Sequence, residues 1–136
     1  MQRRKAREYA LQILFRLDFT EKGIDSKDLE EFWSDKQAPG DVRKFAEELV
    51  RGTLNSLDDI DTMIEKVTEN WILKRMAAVD RNILRFAAYE LFYRKDIPPA
   101  VTINEALEIA KKFSSTESAP FINGVLDKLS KGIGKT

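Results

Sequence analysis

Four of the five residues in Arg3-Arg4-Lys5-Ala6-Arg7 carry a positive charge near neutral pH, and a run of that kind is chemistry for holding anions. Guanidinium groups grip phosphate through paired N–H donors, and aromatic rings set among the cations offer unpaired bases a surface to stack on. The combination continues down the chain. Written on a helix, the face with Arg4, Lys5, Glu8, Gln12 and Arg16 also carries Phe15 and Phe19, with Arg3 and Arg7 at its rim. One reading is an RNA-binding surface. The other is a solvated basic helix end whose two rings are covered by a neighbouring helix.

Other chemistry is scarce. The 136-residue chain has no Cys and no His, which removes disulfides, thiolate nucleophiles, imidazole bases and the usual zinc ligands together. Carboxylate catalysis or a magnesium site remains open to the 23 acidic residues, but no spacing singles one out. The run Phe113-Ser114-Ser115-Thr116-Glu117-Ser118 has no glycine-rich phosphate loop. No enzymatic activity, cofactor or metal is therefore expected.

A few residues stand out locally. Glu90 lies one and two turns from Phe86 and Ile83, inside an apolar stripe where an ionised carboxylate needs partners. The structural reading has it accept backbone amides at a helix start near Pro99 to Ile103. The functional reading, an acid–base group, lacks a second catalytic residue beside it. Asn123-Gly124, inside a helical pattern, reads as a close helix contact that glycine permits. Asp80 and the run Asp58-Asp59-Ile60-Asp61 suit either a basic protein partner or helix N-termini.

The formal net charge of zero hides a strong polarity. Residues 1–16 hold five basic and one acidic side chain, residues 17–70 hold seven and fifteen, and residues 71–136 hold eleven and seven. A basic surface beside an acidic one orients any phosphate ligand. The basic N-terminus is not followed by an apolar segment of the signal-peptide kind, and nowhere does an apolar run approach the roughly 20 residues of a membrane span. A cytoplasmic location is expected.

The elements that must carry these residues are helices. Ala6, Tyr9, Ala10, Ile13, Leu14 and Leu17 recur at three- and four-residue spacing from Arg3 to about Phe19. After Gly23 and Asp25-Ser26, a short helix turns Leu29, Phe32 and Trp33 inward, and Pro39-Gly40 ends it. Asp41 is the expected N-cap of a third helix through Val42, Phe45, Ala46, Leu49 and Val50 to about Asn55. Leu57, Ile60, Ile64 and Val67 mark a fourth, and Trp71, Ile72 and Met76 form an apolar joint. From about Ala78 to Arg94 apolar residues face several ways, which predicts a central helix. Pro98-Pro99 breaks the chain, and Thr102 with Glu105 matches a capping box for a sixth helix running to about Phe113. Ser114 to Ser118 is a loop, and Phe121, Ile122, Val125, Leu126 and Leu129 define the last helix before Gly132 and Gly134. The expected fold class is all-α: about seven helices in two small antiparallel bundles within a single domain, with helical subdomains of about 1–76 and 77–136.

Four stretches in this order, Arg3-Arg4-Lys5-Ala6-Arg7-Glu8, Ile83-Leu84-Arg85-Phe86-Ala87-Ala88-Tyr89-Glu90-Leu91, Ile103-Asn104-Glu105-Ala106 and Phe121-Ile122-Asn123-Gly124-Val125-Leu126-Asp127, resemble the NusB family. The resemblance covers nearly the whole chain and is weakest between about Gly23 and Asp41. It implies a bacterial transcription antitermination factor that binds the single-stranded boxA element of ribosomal RNA leaders. It also implies the ribosomal protein NusE as partner, in a complex with RNA polymerase, and a possible homodimer. Carried over by position, it assigns RNA contacts to Arg3, Arg4, Lys5, Arg7, Gln12 and Phe15, a second RNA patch to Glu117 and Phe121, and a protein interface to Phe15 and Asp80. Phe15 stands where the family has a tyrosine, and Glu117 where an aspartate occurs. The alternative is the NusB-like domain of RNA cytosine methyltransferases, which needs a Rossmann-type catalytic domain. An end at Thr136, directly after the last helix, favours the standalone factor.

Overall fold

The computed structural model describes residues 2–19, 25–68 and 73–132, and these are helical with no strand among them. Seven α-helices follow in order: α1 (Arg3–Leu17), α2 (Ser26–Trp33), α3 (Gly40–Asn55), α4 (Leu57–Val67), α5 (Ala78–Tyr93), α6 (Pro99–Phe113) and α7 (Ser118–Gly132), with a short 3₁₀ turn at Leu73–Arg75. Gly23, Trp71, Ile72 and Gly134 lie outside the described residues.

The helix starts differ from expectation for a common reason. Proline fixes φ near its helical value and lacks an amide to satisfy, so it opens a helix without a side-chain cap. Pro99 is thus the first residue of α6. Thr102 and Glu105, expected as a capping box, sit inside the helix with their side chains released to other partners. Likewise α3 starts at Gly40 with Pro39 as its N-cap, and Asp41 instead accepts the amide of Val42 at 2.8 Å. At the start of α2 an acidic cap does form: Asp25 accepts the Asp28 amide at 2.8 Å and Asp28 accepts back from Asp25, a reciprocal box.

Helix α5 is central, as its many-sided apolar pattern predicts. It packs against α1, α3, α4, α6 and α7, burying Ile83, Leu84, Phe86, Ala87, Ala88 and Leu91. One continuous apolar core runs from Ala6 and Ala10 of α1 through α5 to Leu126 and Leu129 of α7. The close approach that glycine permits is at Gly52 on α3, where a Cβ would run into the Tyr89 ring. Gly124, expected to make such a contact, is exposed and has open space in front of it.

A polar hub fixes the joint between α4 and α5. Asp18, just past α1, accepts from Arg81 and, at 3.3 Å, from Arg85, while Arg85 grips Asp61 of α4 through two bonds of 2.9 Å. Arg81 also donates to the carbonyls of Leu73 and Met76 at 3.0 Å each. Burial alone would raise the Asp18 carboxyl. The hydrogen bond and charge of Arg81, with Arg85 and Asn82, more than offset it and hold Asp18 below the ordinary carboxylate range.

Candidate nucleic-acid interface

The basic run forms the first turns of α1, and helix electrostatics disfavour it there. No side chain caps the helix at Gln2, no acidic residue occupies the first turn, and Arg3, Arg4 and Lys5 stand at the positive end of the helix dipole. All three side chains are exposed. The Arg3 guanidinium lies 4.8 Å from the centre of the Phe45 ring. Arg4 reaches across to α6 and donates to Glu105 at 2.6 Å, and Lys5 lies 3.8 Å from Glu8 and over the Tyr9 ring.

Arg7 departs from the expected surface. Its side chain is 1% exposed, and it donates from Nε and Nη2 to the two carboxylate oxygens of Glu90 at 2.7 and 2.9 Å. Thr102 adds a hydroxyl bond to Glu90 at 2.9 Å. Glu90 is therefore held by side chains of α1 and α6, where backbone amides were expected. The helix start expected to supply them does contribute, through Thr102. Glu8, assigned to the open face, is also buried, because α1 contacts α5 and α6 as well as α3 and so buries a wider arc than one stripe. In the sequence, Arg7 shares its spacing with Ala10, Leu11 and Leu14 at i+3, i+4 and i+7, a mark of the buried face.

Further along α1 the exposed rings lie beside a groove. Phe15 and Phe19 meet edge to face at 5.1 Å, and with Gln12 and Arg16 they border a groove of about 600 Å³ whose floor includes Leu11, Val79 and Phe113. Neither ring is covered among the described residues: Phe19 is 71% exposed and Phe15 37%. Asp80 follows Val79 and belongs to an adjoining groove of about 530 Å³ with Arg75, Glu117 and the half-open ring of Phe121. The Asp80 carboxylate accepts hydroxyl bonds from Ser114 and Ser118 at 2.6 and 2.8 Å, which pins the α6–α7 loop to the first turn of α5.

The assigned residues thus fall into three neighbouring groups: Arg3, Arg4 and Lys5 on the opening turns of α1, Gln12 and Phe15 in one groove, and Asp80, Glu117 and Phe121 in the next. Two contacts to α1 escaped sequence reasoning, one from Glu105, which was read as a cap, and one from Lys112. Glu105 and Lys112, both on α6, meet α1 across separations of 101 and 104 residues, and no local spacing announces such pairs.

Comparison with known proteins bears on this arrangement. The NusB family model matches residues 4–131. A transcription antitermination protein NusB from Desulfitobacterium hafniense is 53% identical over 136 residues, covering 99% of this chain and 92% of that protein. Among solved structures, NusB of T. maritima superposes with a TM-score of 0.87 at 39% identity, over 96% of this chain and 92% of that one. A chain in the crystal structure of antitermination factors NusB and NusE in complex with dsRNA superposes at 0.85 with 27% identity, over 97% and 99%. The family model, the sequence identity and the superposition each extend over nearly the whole chain, and the chain belongs to the NusB family.

Proposed function

We propose that this chain is a non-catalytic transcription antitermination factor that binds single-stranded boxA-type RNA of ribosomal RNA leaders together with the ribosomal protein NusE, as part of an RNA polymerase complex in the cytoplasm. The observation that carries the reading is the start of α1. Three exposed cations crowd an uncapped helix N-terminus, where they cost helix stability and where the free amides favour phosphate. Glu105 and the Phe45 ring offset part of that cost for Arg4 and Arg3, yet all three side chains stay exposed to an anion. Relatives matched over nine-tenths of their length carry the antitermination name, which supports this reading over that of a methyltransferase domain.

Arg3, Arg4 and Lys5 hold phosphates. Gln12 and Phe15 lie further along the same helix to meet bases, and Glu117 and Phe121 form the second contact patch. Arg7 acts from inside, as a positioning residue that fixes α1 against α5. The protein partner docks on Phe15 in the first groove and Asp80 in the second; a homodimer using the same rings would compete with it. Phosphate contacts set affinity, and ring and polar contacts set sequence choice.

The test is a fluorescence-anisotropy titration of a boxA RNA and a scrambled RNA, each with and without NusE. Wild type prefers boxA, NusE raises the affinity, and Arg4→Ala with Lys5→Ala weakens binding while the circular-dichroism spectrum and NusE binding persist. Equal affinity for the two RNAs, or no effect of the double variant, overturns the assignment. Phe15→Ala is expected to weaken NusE binding, read by calorimetry without RNA.

A further inference from the structure

The cations of α1 do not end the positively charged surface. Lys112, in the last turn of α6, donates to both carboxylate oxygens of Glu8 at 3.1 and 3.3 Å, and Lys5 lies 3.8 Å from the same Oε1. Two ammonium groups converge on one carboxylate, so their nitrogens lie no more than about 7 Å apart. The carboxylate is sunk while the ammonium groups are not: the Glu8 side chain is 6% exposed, that of Lys5 45% and that of Lys112 60%.

One buried negative charge under two exposed positive ones leaves a net positive spot at the seam of α1 and α6. An ammonium has three N–H donors, and Glu8 accepts from one face of Lys112 only, so donors remain for a further anion. Arg4 stands differently, since its guanidinium is engaged by Glu105, which a phosphate must displace or share.

We propose that the RNA-binding surface crosses from α1 onto α6 through Lys112, which contacts an RNA phosphate alongside Lys5, with Glu8 beneath them fixing the position of both. This rests on the RNA-binding reading above and adds a residue to it that the N-terminal arm does not contain. The bland reading is that Lys112 only neutralises Glu8.

The experiment measures the affinity of the full chain for a boxA RNA over a salt series. A single-strand phosphate contact contributes about 0.7 to the slope of log K against log salt. Lys112→Gln is expected to reduce the slope by that amount and to lower affinity roughly fourfold near physiological salt. Glu8→Gln removes the buried charge that Lys112 would otherwise unmask. If Lys112 touches phosphate, its slope loss persists in the Glu8→Gln background; if it only shields Glu8, the loss vanishes there and the proposal falls. Lys131→Gln on α7 serves as control, because Lys131 pairs with Asp127 of its own helix, and no change in slope is expected. A loss of equal size there would mean that net charge alone is being read, and would overturn the contact. Failure of wild type to bind RNA at all sinks the underlying function, whereas wild-type binding with an unchanged Lys112→Gln slope sinks this inference alone.

Discussion

Arg7 and Glu90 are opposite charges with almost no water around either, joined by two hydrogen bonds and steadied by Thr102. A pair of this kind is a weak source of net stability when intact, yet removing one partner strands the other. Arg7→Ala is therefore expected to cost about 3–5 kcal/mol in urea denaturation. Arg7→Met with Glu90→Leu should recover much of that loss, which an independent action of the two residues would not allow. Asp18 gives a prediction in pH. Its carboxyl is held below the ordinary value, so its contribution to stability is complete above that value of 3.8 and disappears as pH falls through the lowered folded value. Asp18→Asn should destabilise by about 1–3 kcal/mol at neutral pH, with the difference from wild type shrinking only below about pH 4. A gap that stayed constant into strong acid would contradict this.

At the scale of elements, two helix-interior glycines separate packing from propensity. In an open helix, glycine to alanine gains about 0.5–1 kcal/mol. Gly124→Ala is expected to show that gain, because nothing lies within reach of the new methyl. Gly52→Ala should lose about 1–3 kcal/mol instead, since the methyl meets the Tyr89 ring, which stacks on Tyr93 at 5.4 Å. Thermal melts of the two variants should move in opposite directions. The sequence pointed to the wrong glycine for a physical reason. Periodicity places a residue on a face of its own helix, but the partner of that face comes from elsewhere in the chain. The same limit applied to Thr102 and Glu105, whose capping-box spacing was real but lay behind a proline that starts the helix earlier. Where the decisive interactions are local, as in the apolar stripes of α3 and α4 or the inward Leu29, Phe32 and Trp33 of α2, the pattern and the helices agree.

Over the whole molecule, the basic run was legible because its residues are adjacent, whereas the division of labour within it was not. Arg3, Arg4 and Lys5 stay outside while Arg7 turns in: its spacing puts it on the buried face, but the partner that accepts it there, Glu90, comes from 83 residues away. The absence of Cys and His from the sequence removed thiolate and imidazole chemistry and left carboxylate chemistry open. No helix of the described residues is long and apolar enough to cross a membrane. The overall charge balance makes a further expectation. With a net charge of zero, long-range attraction to RNA comes from the distribution of charge and not its total. The association rate for boxA RNA should fall steeply with salt in stopped-flow measurements, and reversing Lys5 to Glu should slow association more than it speeds dissociation.

The joining of Arg7 to Glu90 also has an order in time. The two residues are 83 positions apart, and a chain made at about 5–20 residues per second presents Arg7 roughly 4–17 s before its carboxylate exists. During synthesis α1 waits with a cation that has nowhere dry to go. Its docking on α5 and α6 must wait until those helices have emerged, although it is the first helix made and its contact with α3 can form sooner. A nascent chain halted before Glu90 should accordingly leave α1 more open to protease than the full chain does, and release past Thr102 should bring it to the full chain's protection.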